Sequence, residues 1–433
     1  MIRRDWLVSP RFIFVLAFLI RMAICVTLHT YRFPQLDGKY AAEYGNVAAS
    51  IVRGAGFSSP YGHDTGPTAL MAPIYAYLLA AVFRVFGTYS ATAAILILSL
   101  QSLCSALICW AIYSLVAKTL DKAAAPIAAW VWAVSPLAIH ASVGYVWETS
   151  FSTLLTIVAV LLTLRLNDSS RMAWTAYGAL WGIIALTNTA LAFLFPFYLV
   201  WALFKHGQPF SRTMIAKASL AVAAAVVIVT PWIARNTIVF GRPTFIRDGM
   251  PLELYGGAMM DTAEARQSQN GIIETPAEQR AFLTLGERSY MDDRGQKARR
   301  IISADPLHFA RLSAQRVEQF WLGGLGRFQG RGRLTAIAGL TLFAAIACAG
   351  WAGLLLCFLR RNVFALFYSI PLLIYPDIYY ITHCESRFRH PIEPYLIALG
   401  AYGVVMAFRA IAARFKPLEI GDHVMPQPLA KTK

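Results

Sequence analysis

The chain has 433 residues, of which 57% are hydrophobic and only 14% charged, with a mean hydropathy of +0.52. Soluble domains carry about 25% charge, so this composition excludes an ordinary soluble fold. Lysine and arginine number 39 against 23 acidic residues, a net charge of +16. In a soluble protein that excess would raise nucleic acid as a partner. Here the basic residues flank apolar runs, as the positive-inside rule requires of membrane helices, and no nucleic-acid partner is expected.

The first apolar run follows Met1–Pro10 and resembles a signal peptide. It lacks a small-residue cleavage site, and Arg21 interrupts it, so it reads as a retained first helix. About ten spans follow from the window rule, near 11–30, 91–117, 123–142, 149–165, 172–188, 189–204, 214–234, 334–359, 363–382 and 390–409. Each must be helical, because lipid offers no partners to open backbone. The expectation is therefore an all-α polytopic membrane protein.

The connecting segments set the orientation. Arg3/Arg4, Lys118/Lys122, Arg165/Arg171, Lys205/Arg212, Arg360/Arg361 and Arg409/Arg414/Lys416 fall on one side, which is then cytoplasmic along with both termini. The run Pro73–Phe86 is too short to count, and counting it would place every later basic loop outside. It reads as an interfacial or re-entrant helix, with Tyr75, Tyr77, Phe83 and Arg84 suited to headgroups.

This divides the chain into an N-terminal membrane module (1–234) with a first outer loop (31–90), an outer segment (235–333), C-terminal membrane helices (334–416) and a polar tail (417–433). Within the outer segment, helical pieces are expected at Thr275–Gly286, Tyr290–Ala304 and Pro306–Phe320. The last carries an apolar stripe of Leu307, Phe309, Leu312, Val317 and Phe320. The six cysteines (Cys25, Cys104, Cys109, Cys348, Cys357 and Cys384) match neither a zinc spacing nor a disulfide framework.

The candidate chemistry gathers on the outer side. The first loop opens with Asp37, and Tyr40, Tyr44, Val47 and Ile51 then recur at helical spacing, with Glu43 and Asn46 on a more polar face. A carboxylate at a lipid–water boundary can have a raised pKa and act as a base; the plain alternative is a solvated surface glutamate. Next come Gly54-Ala-Gly56-Phe57 and His63-Asp64-Thr65-Gly66-Pro67, a tight loop without the ending of a phosphate-cradling P-loop. His63 with Asp64 supplies two metal-type ligands, too few to define a site; a divalent metal stays open and no other cofactor is indicated.

Glu148 follows Trp147 at the mouth of a span, where function or a helix-start dipole equally account for it. Pro231-Trp232-Ile-Ala-Arg235-Asn236 closes another span, and Arg387-Phe388-Arg389-His390-Pro391-Ile392-Glu393-Pro394 opens the last. Arginines on the outer side run against the charge rule. Planar forks at one membrane boundary suit a lipid-linked phosphate; pairing with Glu385, Glu393 or lipid headgroups is the alternative. Arg21, inside the first span, snorkels or pairs.

These motifs in this order are Gly-x-Gly-Phe-Ser-x-Pro (54–60), Thr-Gly-Pro-Thr-Ala (65–69), Pro-Ile-Tyr-Ala-Tyr-Leu-Leu (73–79), Trp-Glu (147–148), Pro-Trp-x-x-Arg-Asn (231–236) and the 387–394 stretch. Together they resemble bacterial GT-C glycosyltransferases of the protein-mannosyltransferase and aminoarabinose-transferase kind, over nearly the whole chain. The resemblance implies a multi-pass enzyme of the bacterial inner membrane. Such an enzyme takes a sugar from a polyprenyl monophosphate and transfers it, usually with inversion, to an acceptor outside the cytoplasm. It implies a first-loop carboxylate as base, here Glu43, and basic residues near the last helix for the phosphate, here Arg387 and Arg389. Glu148 matches a second acidic position. His390, Arg235, Tyr44 and Asp64 complete the expected substrate-binding set. The family's first-loop residue is usually aspartate, often followed closely by tyrosine, so Asp37 competes with Glu43. A transporter or flippase and a non-catalytic assembly subunit are the competing readings; no internal repeat of the transporter kind is visible.

Overall fold

The computed structural model describes residues 5–33, 39–166, 170–205, 209–259, 275–323 and 333–414. Asp37 and the tail lie outside the described residues. Helices dominate, and among the described residues β structure is limited to one antiparallel bridge between Ser58 and Pro67. In chain order the helices are α1 (Pro10–Thr27), α2 (Ala42–Val52), α3 (Pro73–Phe86), α4 (Ala91–Thr119), α5 (Ala124–Val134), α6 (Pro136–Val143) and α7 (Thr149–Thr163). Then come α8 (Arg171–Ala185), α9 (Thr189–Ala192), α10 (Leu194–Lys205), α11 (Arg212–Phe240), α12 (Met250–Ala258), α13 (Pro276–Leu285), α14 (Glu287–Ala304) and α15 (Pro306–Leu322). The chain closes with α16 (Arg333–Leu359), α17 (Ala365–Ile374), α18 (Asp377–Ile381), a 3-10 turn over Ser386–Ile392, and α19 (Glu393–Arg414).

Local chemistry sets many boundaries. Ser90, Ser170, Ser211 and Thr275 each accept a hydrogen bond from a first-turn amide of the helix that follows them. Among the described residues, five helices are long and apolar enough to cross a bilayer, and six if the bent pair α5/α6 is one span. The expected count of ten is not reached on those criteria. Several of the expected spans are short or broken apolar helices: Thr149–Thr163, Thr189–Lys205 and Ala365–Ile381. The expected short helix at Pro73–Phe86 is present.

The α5/α6 break has a clear cause. Pro136 has no N–H, so the carbonyl of Trp132 loses its helical donor. The buried Arg21 takes its place, donating to the carbonyls of Trp132 (3.3 Å), Ala133 (3.0 Å) and Ala17 (3.0 Å) and to Ser105 Oγ (3.0 Å). The charge inside the first helix therefore pairs rather than snorkels. Elsewhere small residues bring helices together: α8 lays Gly178 and Gly182 against the α11 backbone at Ala221 and Ala225, where a Cβ would collide.

Between α11 and α16 the described residues form four helices: the expected three, each within a few residues of its predicted bounds, and α12, which was not expected from the sequence. The stripe predicted on α15 is corrected. Leu307 and Val317 face outward, and the buried face is Leu312, Arg316 and Phe320. Arg316 is the reason: its guanidinium donates to the carbonyls of Gly257 (2.7 Å) and Tyr380 (2.9 Å), fastening α15 to α12 and α18.

Candidate active site

The first loop is built onto α11 and the segment that follows it. Phe57 and Thr68 face each other across a short antiparallel turn, with Thr68 N–H donating to the Phe57 carbonyl (3.1 Å) and Ser59 N–H to that of Gly66 (3.0 Å). Arg235 donates to the carbonyls of both Thr68 (2.7 Å) and Phe57 (2.9 Å), and lies over the rings of Trp232 and Phe57. Further along, Arg247 Nε donates to the Leu70 carbonyl (2.6 Å), Asp248 N–H to that of Ala69 (3.1 Å), and Ala69 N–H donates to Glu287 Oε1 (2.6 Å). Burial first, and then the neighbouring Asp248 charge, raise the Glu287 carboxyl to about 8.

Against this frame α2 presents Glu43 and Tyr44. Tyr44 is buried, edge-on to Tyr75 (5.3 Å) and Trp147 (5.1 Å). Gln101 on α4 fixes the strand of chain that leads to Glu148. Its side-chain carbonyl accepts from Trp147 N–H (3.1 Å) and Tyr75 Oη (2.6 Å), and its amide donates to the carbonyls of Ser142 and Tyr145. Glu148 is buried; one oxygen accepts from Asn188 (2.9 Å) and the other has no hydrogen-bond partner among the described residues. Burial raises its pKa to about 7, against the opposing pull of Asn188, Arg387 and Arg247.

The cation of the site arrives from the far end of the sequence. The Arg387 guanidinium lies over the Trp147 ring (4.5 Å) and pairs with Glu385 (2.9 Å). Glu385, Tyr145, Glu148 and Glu43 are all within its electrostatic reach. His383 stands behind it, 2.6 Å from Glu253 of α12 and 3.7 Å from Glu385.

Glu43, Tyr44, Glu148 and Arg387, expected from the sequence, therefore share one site. Other expected residues are engaged elsewhere. Arg389 is wholly buried against Phe343 (3.1 Å), donating to the Trp321 carbonyl (2.8 Å) and pairing with Glu393 (3.2 Å). His390 packs on Trp132 and lies 3.8 Å from Glu393. Arg235 is committed to the loop carbonyls, and Asp64 is exposed at the turn. The pairings with Glu385 and Glu393, held as the alternative for the two arginines, both occur. Arg247, Glu253 and His383 were missed: each is a lone polar residue in a segment without periodicity or motif, and only the fold brings them to Glu148 and Arg387. Among the described residues no three His, Cys, Asp or Glu side chains gather as a metal site.

Comparison with known proteins finds one family match and a fold likeness to solved structures. Residues 70–234 match the family described as dolichyl-phosphate-mannose-protein mannosyltransferase. No curated protein sequence matches the chain. Among solved structures, the apo oligosaccharyltransferase of Archaeoglobus fulgidus superposes with a TM-score of 0.53 at 17% identity, covering 95% of this chain and 52% of that one. The archaeal oligosaccharyltransferase AglB from the same organism, solved with an inhibitory peptide and a dolichol-phosphate, gives 0.51 at 17% identity, covering 93% and 51%. The chain thus spans about half the length of these solved enzymes. The family match covers less than half of the chain, and beyond it the chain shares its overall fold with these oligosaccharyltransferase structures.

Proposed function

We propose that this chain transfers a sugar from a polyprenyl monophosphate carrier to an acceptor at the extracytoplasmic face of the bacterial inner membrane, with inversion. The observation that carries this reading is the convergence of Arg387 with Glu148 and Glu43, from three distant parts of the sequence, on the aromatic shelf of Trp147 and Tyr44. A sugar on a long lipid can be used only at the bilayer surface. The site lies at that boundary, where apolar helices give way to polar loops.

In the proposed step, Glu43 takes the proton of the acceptor hydroxyl or amine as that atom attacks the anomeric carbon. The bond from that carbon to the phosphate oxygen breaks, and the oxygen leaves with the electron pair. Arg387, joined by Arg247, which also acts on Glu148, stabilises the charge that develops there. Glu148, partly protonated near neutrality, supplies one hydrogen-bonding oxygen toward the bound groups. The segment α12–α15 frames the acceptor side, since loops carried on a rigid scaffold set specificity.

The test is sugar transfer from a radiolabelled polyprenyl-phosphate sugar pool by purified Glu43→Gln and Asp37→Asn variants. Loss of transfer with retained folding and carrier binding in Glu43→Gln supports the assignment. Full activity in that variant sinks it, and loss in Asp37→Asn alone moves the base to Asp37.

A further inference from the structure

Four charged side chains run in alternating sign from the polar segment into the site: Glu253, His383, Glu385 and Arg387, with contacts of 2.6, 3.7 and 2.9 Å. Only Arg387 faces the proposed carrier phosphate. Resting on the proposed transferase reading, we infer that Glu253 and His383 are a positioning pair that governs how freely Arg387 engages that phosphate.

The physical problem is competition. Glu385 grips Arg387 through both carboxylate oxygens, at 2.9 and 3.2 Å, and would neutralise the charge that a phosphate needs. His383 draws on the same carboxylate from the other side. As an imidazolium it shares Glu385's charge and leaves part of the Arg387 field for a ligand. Glu253 keeps that imidazolium charged. Burial would lower His383, but Glu253 and then Glu385 outweigh it and lift the ring to about 10. Burial would likewise raise Glu385, yet His383 and Arg387 hold it at about 2.

The neighbouring groups complete the account. Phe388 meets the imidazole edge-on at 5.1 Å, and Arg247 faces Glu253. The Glu253 end is set by backbone contact: Gly257, one turn on, lies so close to the Thr382 carbonyl that a Cβ would collide. The polar segment therefore reports its position to the phosphate-binding cation through this pair.

The experiment measures binding of undecaprenyl phosphate to the full chain in detergent at about pH 7 and about pH 9, across which the phosphate stays ionised and a weakened imidazolium would not. Each variant is compared with wild type at the same pH, since Glu148 titrates near 7 in all of them while the wild-type ring keeps its proton. Removing one carboxylate lets the ring's pKa fall, so Glu253→Gln binds much like wild type at the lower pH and about tenfold more weakly at the higher. His383→Gln is about tenfold weaker at both, and His383→Lys recovers most of the loss. Equal weakening of Glu253→Gln at both pH values, or wild-type binding by His383→Gln, overturns the pair while leaving the transferase reading intact. Wild type that fails to bind the carrier overturns both.

Discussion

The Arg387 guanidinium lies 4.5 Å above the ring of Trp147, which itself meets Tyr44 edge-on at 5.1 Å. An aromatic face orients a guanidinium and shields one side of it from water, which strengthens its pull on an anion. Trp147→Leu is expected to weaken carrier binding about tenfold, the scale of a desolvated cation–π contact. Arg387→Lys removes the fork as well as the stacking, and should lower kcat/KM by about a hundredfold or more. Titration with undecaprenyl phosphate and initial-rate kinetics distinguish the two.

Glu148 carries a pH signature. Its folded pKa is raised to about 7, so the folded protein binds a proton that the unfolded chain releases at lower pH. The stability linked to this group is fully present below the unfolded carboxyl's pKa and is lost as pH rises through the folded value. Glu148→Gln should therefore be more stable than wild type above about pH 7, by on the order of 2 kcal/mol, with the gap closing in acid. Thermal unfolding in detergent across that range checks it. The same variant should lose any activity limb that titrates near neutrality.

Arg235 is expected to act on structure rather than on phosphate. Arg235→Met strips the Thr68 carbonyl of its donor and leaves the Phe57 carbonyl with the Thr68 N–H alone. At roughly 1–3 kcal/mol for each buried partner left unsatisfied, the loop should become open to limited proteolysis between Phe57 and Thr68. Undiminished protection would argue that the turn holds itself.

Gly257 offers a steric test of the link between α12 and the site. Gly257→Ala must push α12 off the Thr382 carbonyl, at about 1–3 kcal/mol of overpacking. It should weaken carrier binding as well as stability, because Glu253 moves with the helix. A stability loss without any change in carrier affinity would separate α12 from the phosphate site.

Much of the architecture was readable because bilayer thickness dictates long apolar runs, and these survive without an alignment. The three helices between Pro276 and Leu322 were readable, and caps and prolines mark two of them, at Thr275-Pro276 and Asp305-Pro306. The face of α15 was not, because Arg316 fills the buried position that the apolar stripe assigned to Val317. At the site, Arg387 stood out as positive charge where the topology rule disfavours it, and Glu148 as a carboxylate near membrane depth. The divergence of Arg387 and Arg389 did not: two residues apart on a 3-10 turn, they point to opposite sides, and no local rule says which meets the ligand. Arg247, Glu253 and His383 could be found only through tertiary contact.

Arg235 ties both arms of the first-loop turn to a 29-residue helix. Loop and helix must then travel as one piece, so the turn cannot serve as a flap that swings aside for each lipid. Away from this turn, α12 and the stretch before α19 meet through the Glu253–His383 pair and the close approach of Gly257 to the Thr382 carbonyl. If the proposed transferase reading holds, the room a lipid carrier needs must be made on the side of Arg387, because the Arg235 turn is pinned.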